Sequence, residues 1–502
     1  MHSPRQDSDP ATRTAQRFDV VIVGAGISGI CSATLLRKHC PQLSFLIVDA
    51  MEAPGGTWLI HKYPGARSDS DLFTFGYDFK PWKGKPIASR EEILDYLAST
   101  IEDEQLGPHI RYQHRVQSAS WSSASSTWTL DLAVDDARKP VQIQAGFLWM
   151  CQGYYKFEEG YTPEWPGMDT FKGQIIHPQF WPEKLDYSGK RVVVIGSGAT
   201  AITLIPSMTD KAQHVTMLQR TPSYVISVPQ FDPMVRFLLK FLPDMTVYNI
   251  SRARNNFITQ MIFKLSRKYP NAVRKFLLKQ VKMQVGPNFD MKHFTPPYNP
   301  WDQRLCAVPN GDLFKVLKKG KASVVTDQID RFVDKGILLK SGQTLEADII
   351  VTATGLNLRL FGGMQMSVDG KPVEMNKHIS YKGLMFSDLP NFSNTLGYTN
   401  ASWTLRADMT ARATAKLIEY MDAHGYTHAY PHLGGEQVGE KPAWDLQAGY
   451  VLRNPHALPR SGTKRPWVVR QDYWADAVDF HFMDKIDENM TFGRVAAAAR
   501  TA

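Results

Sequence analysis

Two apolar runs, each ending in closely spaced glycines and followed at once by helix-forming residues, constrain this chain more than any other feature. The first is Phe18-Asp-Val-Val-Ile-Val-Gly24-Ala-Gly26-Ile-Ser28-Gly29. A continuous apolar run of this length suits a strand buried on both faces, as in a parallel sheet. Gly24 then permits a tight turn, Gly26 lets the backbone approach a pyrophosphate, and Gly29 lets the next helix pack closely on the strand. The phosphates would rest on the helix N-terminus, where unpaired N–H groups favour anions. The run 44–49 ends in Asp49, twenty residues after Gly29, where a carboxylate can accept from both ribose hydroxyls. The second run is Arg191-Val-Val-Val-Ile-Gly196-Ser197-Gly198-Ala199-Thr200-Ala201, and its following strand ends in Arg220-Thr221 with no acid. A guanidinium there makes charge-assisted bonds to a 2′-phosphate that a carboxylate would repel. The first motif therefore reads as an FAD site and the second as an NADP site. A third apolar strand, 347–355, ends in a small-residue turn. The expected fold is α/β, with two dinucleotide-binding (Rossmann-like) domains.

Composition narrows the class. The chain has 502 residues, 43% apolar and 21% charged, which excludes whole-chain disorder. Its four cysteines make neither a disulfide framework nor a metal set. Disulfide reductases share a two-dinucleotide plan but need a close redox pair, and Cys31 and Cys40 stand nine positions apart, so thiol chemistry is excluded. No run reaches the ~20 apolar residues of a spanning helix, and the polar N-terminus is unlike a secretory signal. A reduced, cytoplasmic protein is expected. The net charge of +9 is concentrated: residues 231–290 hold eleven Lys/Arg against three Asp/Glu. The rest is nearly neutral, which argues against a nucleic-acid partner. Phe237, Leu238, Phe241, Phe257, Met261, Ile262 and Leu265 recur at helical spacing in this segment, which reads as a helical insertion. It suits weak peripheral contact with an anionic membrane; the favoured expectation is an apolar face packed on the NADP domain beneath solvated cations. His424, His428 and His432 are four apart, but Gly425 and Pro431 interrupt the stretch, so no metal site is expected.

Between the glycine motifs runs Phe171-Lys-Gly173-Gln-Ile-Ile-His177-Pro-Gln-Phe-Trp181-Pro182. Here the chain resembles the class B flavoprotein monooxygenases, and within them the Baeyer–Villiger monooxygenases, whose fingerprint F-x-G-x-x-x-H-x-x-x-W it matches at every fixed position. Gly55-Gly56-Thr57-Trp58 and Tyr63-Pro-Gly-Ala-Arg67-Ser68-Asp69 resemble the same family's FAD-side pattern. The stretches 298–314 and 397–405 resemble the ethionamide-activating subgroup. The likeness runs from about Phe18 to Trp467.

The resemblance implies NADPH- and O₂-dependent oxidation of ketones to esters or lactones through a flavin C4a-peroxide, with S-oxidation of sulfides or thioamides on the side. An N/S-oxygenase without ketone activity is the alternative. It implies a catalytic role for Arg304, a charged donor fork for negative oxygen species, oriented by Asp69. It implies FAD contacts at Ser28, Gly56, Thr57, Trp58 and Val116, and nicotinamide-side places for Arg67 and Ser68. Many relatives carry Lys before the catalytic arginine; here Gln303 leaves the NADP grip to Arg220 and Thr221. His177 and Trp181 are assigned to the linker and domain motion. The expected boundaries are an FAD domain in two parts, 1–160 and 356–502, around an NADP domain, 161–355, with its insertion at about 222–300.

Overall fold

A computed structural model describes residues 15–135, 139–303, 305–443, 453, 458–482 and 488–495. The strand Gln16–Val23 sits at the centre of the first sheet, parallel to Phe45–Val48 on one side and Lys139–Met150 on the other. Ile110–Arg111 extends this parallel array beyond Phe45–Val48, and Phe392–Asn394 extends it beyond Lys139–Met150. Val20, Val21, Ile22, Ile47 and Val48 are buried, as a strand covered on both faces demands. The first half of Lys139–Met150 also pairs antiparallel with Thr127–Val134, which pairs with His114–Ser122. One long strand thus joins a nucleotide-binding sheet to an antiparallel extension.

The helix Ile27–His39 covers one face and packs on the later helix Trp403–Ala423, with Cys31, Ala411 and Ala415 in the contact. Cys31 and Cys40 are buried free thiols, as small apolar side chains would be.

The second sheet is parallel throughout. Its order is Ala322–Thr326, His214–Gln219, Arg191–Ile195, Ile349–Thr352, Gln174–Ile176. The helix Ala199–Met208 follows Arg191–Ile195 on its own buried face. The chain passes between the sheets twice, and the two crossings pair with each other: Tyr155–Gly160 runs antiparallel to Leu356–Leu358. His177 of the fingerprint packs between them. Its Nε2 lies 3.1 Å from the Gly355 carbonyl oxygen, and its ring fills the space where Gly160 lacks a Cβ.

The insertion is helical as expected, with Pro233–Leu238, Asp244–Lys268 and Pro270–Val285. Its packing corrects the expectation. Only Pro270–Val285 lies against the second sheet's core, through Val281 and Val285. The long helix Asp244–Lys268 instead seats Tyr248 in the first unit's core, and Arg252 Nη1 donates to the carbonyl oxygens of Thr74 and Gly76. Its apolar stripe is left exposed. No helix among the described residues is long and apolar enough to cross a membrane.

The three histidines do not converge. His424 ends the helix Trp403–Ala423 and stacks on Tyr420, His428 faces Ser126, and His432 pairs with Asp388. No metal-ligating cluster occurs among the described residues.

Candidate active site

Ligands of open parallel sheets gather at the carboxyl ends of the strands. There the first sheet carries a cavity lined by Gly24, Gly26, Ser28, Asp49, Gly56, Thr57, Trp58, Asp69 and Val116, all anticipated from the sequence. Gly24 has φ +110°, and a Cβ on it would stand 2.7 Å from the Cys151 carbonyl oxygen, so only glycine serves. Gly29 lies behind the cavity, where a Cβ would overlap the Gly24 carbonyl; its role is helix-to-strand packing. Asp49 lies in the wall with its oxygens accepting from the Ala25 N–H at 2.5 Å and the Met51 N–H at 2.8 Å. Burial raises its carboxyl above the usual range, and those two backbone donors oppose the rise. Ser28 Oγ accepts from Trp403 Nε1 at 2.7 Å.

Sequence reasoning missed part of this wall. Gln152 follows the strand Lys139–Met150, lines the cavity, and has both carboxamide atoms buried without a partner. A buried amide left so costs about 1–3 kcal/mol, which a polar ring edge in the cavity would recover. Tyr398, Ala401 and Trp403 come from the far end of the chain to close the same space. The strand-end rule could have found Gln152; no local pattern marks the other three. The open approach at Gly26 and the unpartnered Gln152 fit a flavin dinucleotide.

The second motif is built alike. Gly196 has φ +137° and would overlap the Ala353 carbonyl with any side chain. Gly198 caps the helix Ala199–Met208 and has open space where its Cβ would be, so a phosphate can approach the N–H groups. Ser197 Oγ donates to the Thr221 carbonyl oxygen at 2.9 Å, tying the turn to the next strand end. Ala201 is buried packing, and Arg220 stands exposed beyond Gln219. Tyr63 of the FAD-side loop bonds Thr200.

That loop spans the two units. Gly65 touches Ser207 on the second motif's helix, and Arg67 Nη1 donates to Asp312 Oδ2 at 2.6 Å. Arg67 Nη2 is buried with no partner. Ser68 is buried and holds the turn through the Ser70 carbonyl oxygen. Asp69 lines both the flavin-side cavity and a neighbouring cavity of about 520 Å³. Ser70 and Ala401 also lie in both walls, so the two spaces adjoin. Trp301, Leu305, Ile226, Ile258 and Ile262 make the second space apolar, while the Trp301 Nε1, Asn256 Oδ1 and Asn400 Oδ1 atoms in its wall are buried without partners. Arg304 lies outside the described residues; Trp301 and Leu305, near it on either side, belong to this wall.

Two nucleotide-binding sheets with parallel cores, one loop bridging their motifs and an apolar space beside that loop define an oxidoreductase that uses two dinucleotides. The chain belongs to the flavin-binding monooxygenase-like family, which it matches over residues 78–397, and a Rossmann-like NAD(P)-binding pattern matches residues 22–81. It is similar to the FAD-containing monooxygenase EthA of Mycolicibacterium smegmatis, 47% identical over 97% of this chain and 100% of that one. It is 48% identical to the probable FAD-binding monooxygenase AlmA of an Acinetobacter species, over 92% of this chain and 93% of that one. Among solved structures, a steroid monooxygenase bound to NADP superposes with a TM-score of 0.75 at 21% identity, covering 95% of this chain and all of the other. A cyclohexanone monooxygenase bound to ε-caprolactone gives 0.73 at 20% identity, covering 95% and 100%. At those identities the likeness is one of fold. The FAD and NADP read from the two glycine motifs agree with these matches.

Proposed function

We propose that this enzyme is a Baeyer–Villiger monooxygenase, converting a ketone, NADPH, a proton and O₂ into an ester or lactone, NADP⁺ and water, with S-oxidation of sulfides or thioamides as a side activity. The observation that carries the reading is the apolar cavity that meets the flavin-side cavity at Asp69, Ser70 and Ala401. The F-x-G-x-x-x-H-x-x-x-W fingerprint and the lactone-bound structural relative support it.

When bound, FAD reduced by NADPH would activate O₂ for transfer of one of its oxygen atoms to the substrate. The chain's own residues hold and position. Gly24 and Gly26 admit the flavin dinucleotide's pyrophosphate, Asp49 receives its ribose, and Ser28, Thr57, Trp58 and Val116 wall it in. Gly196, Ser197, Gly198 and Thr200 form the NADP turn, with Arg220 and Thr221 for the 2′-phosphate. Arg67 holds the bridging loop to Asp312, and Trp301 Nε1 offers a donor to a substrate carbonyl. Arg304 supports negative charge on the transferring oxygen and on the former carbonyl oxygen, oriented by Asp69.

Arg304→Ala is expected to bind FAD and accept hydride from NADPH anaerobically, yet to lose ester formation by ~10²–10³-fold. Product analysis with an aliphatic ketone and a sulfide decides. Ester made at the wild-type rate by the variant refutes the role of Arg304, and sulfoxide without ester from the wild type establishes an N/S-oxygenase instead.

A further inference from the structure

Among the described residues, thirteen of the sixteen exposed large apolar side chains lie between Phe231 and Met283. On the helix Asp244–Lys268, Phe257, Ile258, Met261, Ile262 and Leu265 form one outward stripe, while Asn256, Gln260 and Ser266 are buried behind it. A helix resting on a protein in water does the reverse. The inner side bears a cost as well, since Asn256 Oδ1 and both carboxamide atoms of Gln260 are buried without partners. The preceding segment adds Phe237 and Phe241, 59% and 70% exposed with rings 5.4 Å apart, and the following helix adds Phe276 and Met283. A patch of this extent is built for a non-aqueous neighbour.

Charge selects the neighbour. Arg252 and Arg254 turn inward to Asp408 and Asp232, and Lys264 and Arg267 pair with Asp472 and Asp302. Lys240, Lys275, Lys279 and Lys282 are exposed and have no carboxylate partner among the described residues. Two copies meeting through this face would oppose two basic surfaces. An anionic bilayer complements both the cations and the aromatic side chains.

The patch is continuous with the apolar cavity. Phe231, Ile258 and Ile262 belong to the exposed apolar set and also line the space that ends at Asp69. Phe263, on the same helix, meets Trp301 of that cavity edge-on at 5.4 Å. We propose that the helical insertion rests on an anionic lipid surface and that the cavity beneath it takes a membrane-dissolved, apolar substrate directly from that surface. The substrate-delivery half rests on the ketone-oxidising reading above; the docking half does not.

Co-sedimentation of the FAD-loaded enzyme with phosphatidylcholine vesicles, with and without phosphatidylglycerol, tests the docking at low and high salt. Binding is expected on the anionic vesicles, weakened by salt, since exposed charges are screened beyond ~8 Å under physiological conditions. The triple variant Lys275→Glu, Lys279→Glu, Lys282→Glu is expected to lower the partition on the order of 10²-fold, and Phe237→Glu with Phe241→Glu to abolish it. No binding to anionic vesicles at low salt, equal binding to neutral ones, or a dimer in analytical ultracentrifugation that the Phe237/Phe241 variant dissociates would each overturn the proposal. For delivery, the Phe237/Phe241 variant should lose turnover of a long-chain ketone dissolved in vesicles and keep that of a short water-soluble ketone. Equal loss of both, or of neither, refutes delivery. A wild-type enzyme that converts neither ketone refutes the ketone-oxidising reading, while sedimentation still decides the docking.

Discussion

Arg220 stands exposed one residue past the end of His214–Gln219, on the side where Gly198 leaves room for a phosphate. Arg220→Ala should raise the KM for NADPH about 10–100-fold, the range for one charge-assisted bond, and leave NADH nearly unmoved because it has no 2′-phosphate. Equal losses for both coenzymes in steady-state assays would show a packing role instead. His61, next to the flavin-side turn, is held from the ordinary 6.5 down to about 4, by burial first and by the nearby His177 second. A depressed histidine stays neutral in the fold while the unfolded chain takes up a proton. The stability it supports is therefore full above pH 6.5 and drains as pH falls through 4, by roughly 3 kcal/mol at most. Urea unfolding of His61→Gln should show a shallower loss over that window, and a wild-type slope in the variant would refute this origin. At this scale the sequence was legible where function follows spacing, as for Asp49 twenty residues after Gly29. Gln152 was not, because a glutamine after an apolar strand has no signature until the neighbouring strand ends are in place.

The linker ribbon of Tyr155–Gly160 and Leu356–Leu358 joins the two sheets, and one contact in it can be isolated. A Cβ on Gly160 would overlap the ring of His177, whose atoms are its three nearest neighbours. Gly160→Ala should therefore destabilise by about 1–3 kcal/mol through overpacking and should cost little in a His177→Ala background. A double-mutant cycle on urea midpoints checks this, and additive losses would place the strain elsewhere. The fingerprint histidine was assigned to the linker from resemblance, and its contact with both crossings gives that assignment a physical form. The insertion helices were equally visible as elements, but their facing was not. Residues 244–268 have the same periodicity whichever side meets the protein, and Tyr248 and Arg252, anchored among Tyr77, Thr74 and Gly76, decide it. The buried pair of Arg252 with Asp408 joins this helix to Trp403–Ala423. Burial pushes the Asp408 carboxyl up to about 7 against the pull of Arg252.

Over the whole molecule, the ion pair of Arg67 with Asp312 ties the FAD-side loop to the helix Asp312–Lys318 behind the second sheet, with both side chains mostly buried. Arg67→Ala should leave FAD bound and slow anaerobic flavin reduction by about tenfold or more, since a small misplacement of reacting groups is costly. An unchanged stopped-flow reduction rate would show that the pair does not set the distance between the sites. Local sequence could reveal the central strand of each sheet, Gln16–Val23 and Arg191–Ile195, but not that Phe392–Asn394 completes the first sheet. That three-residue strand is defined only by its partner Leu148–Met150. Its late arrival has a consequence for how the chain is made. All strands of the second sheet are encoded between Gln174 and Thr352, so a ribosome delivers that sheet whole before the closing strand of the first emerges. At ~5–20 residues per second, the edge at Leu148–Met150 waits tens of seconds uncovered, an open template for mispairing with another nascent chain. Yield on expression should therefore depend on translation speed and chaperone supply more steeply than the finished fold's stability would suggest.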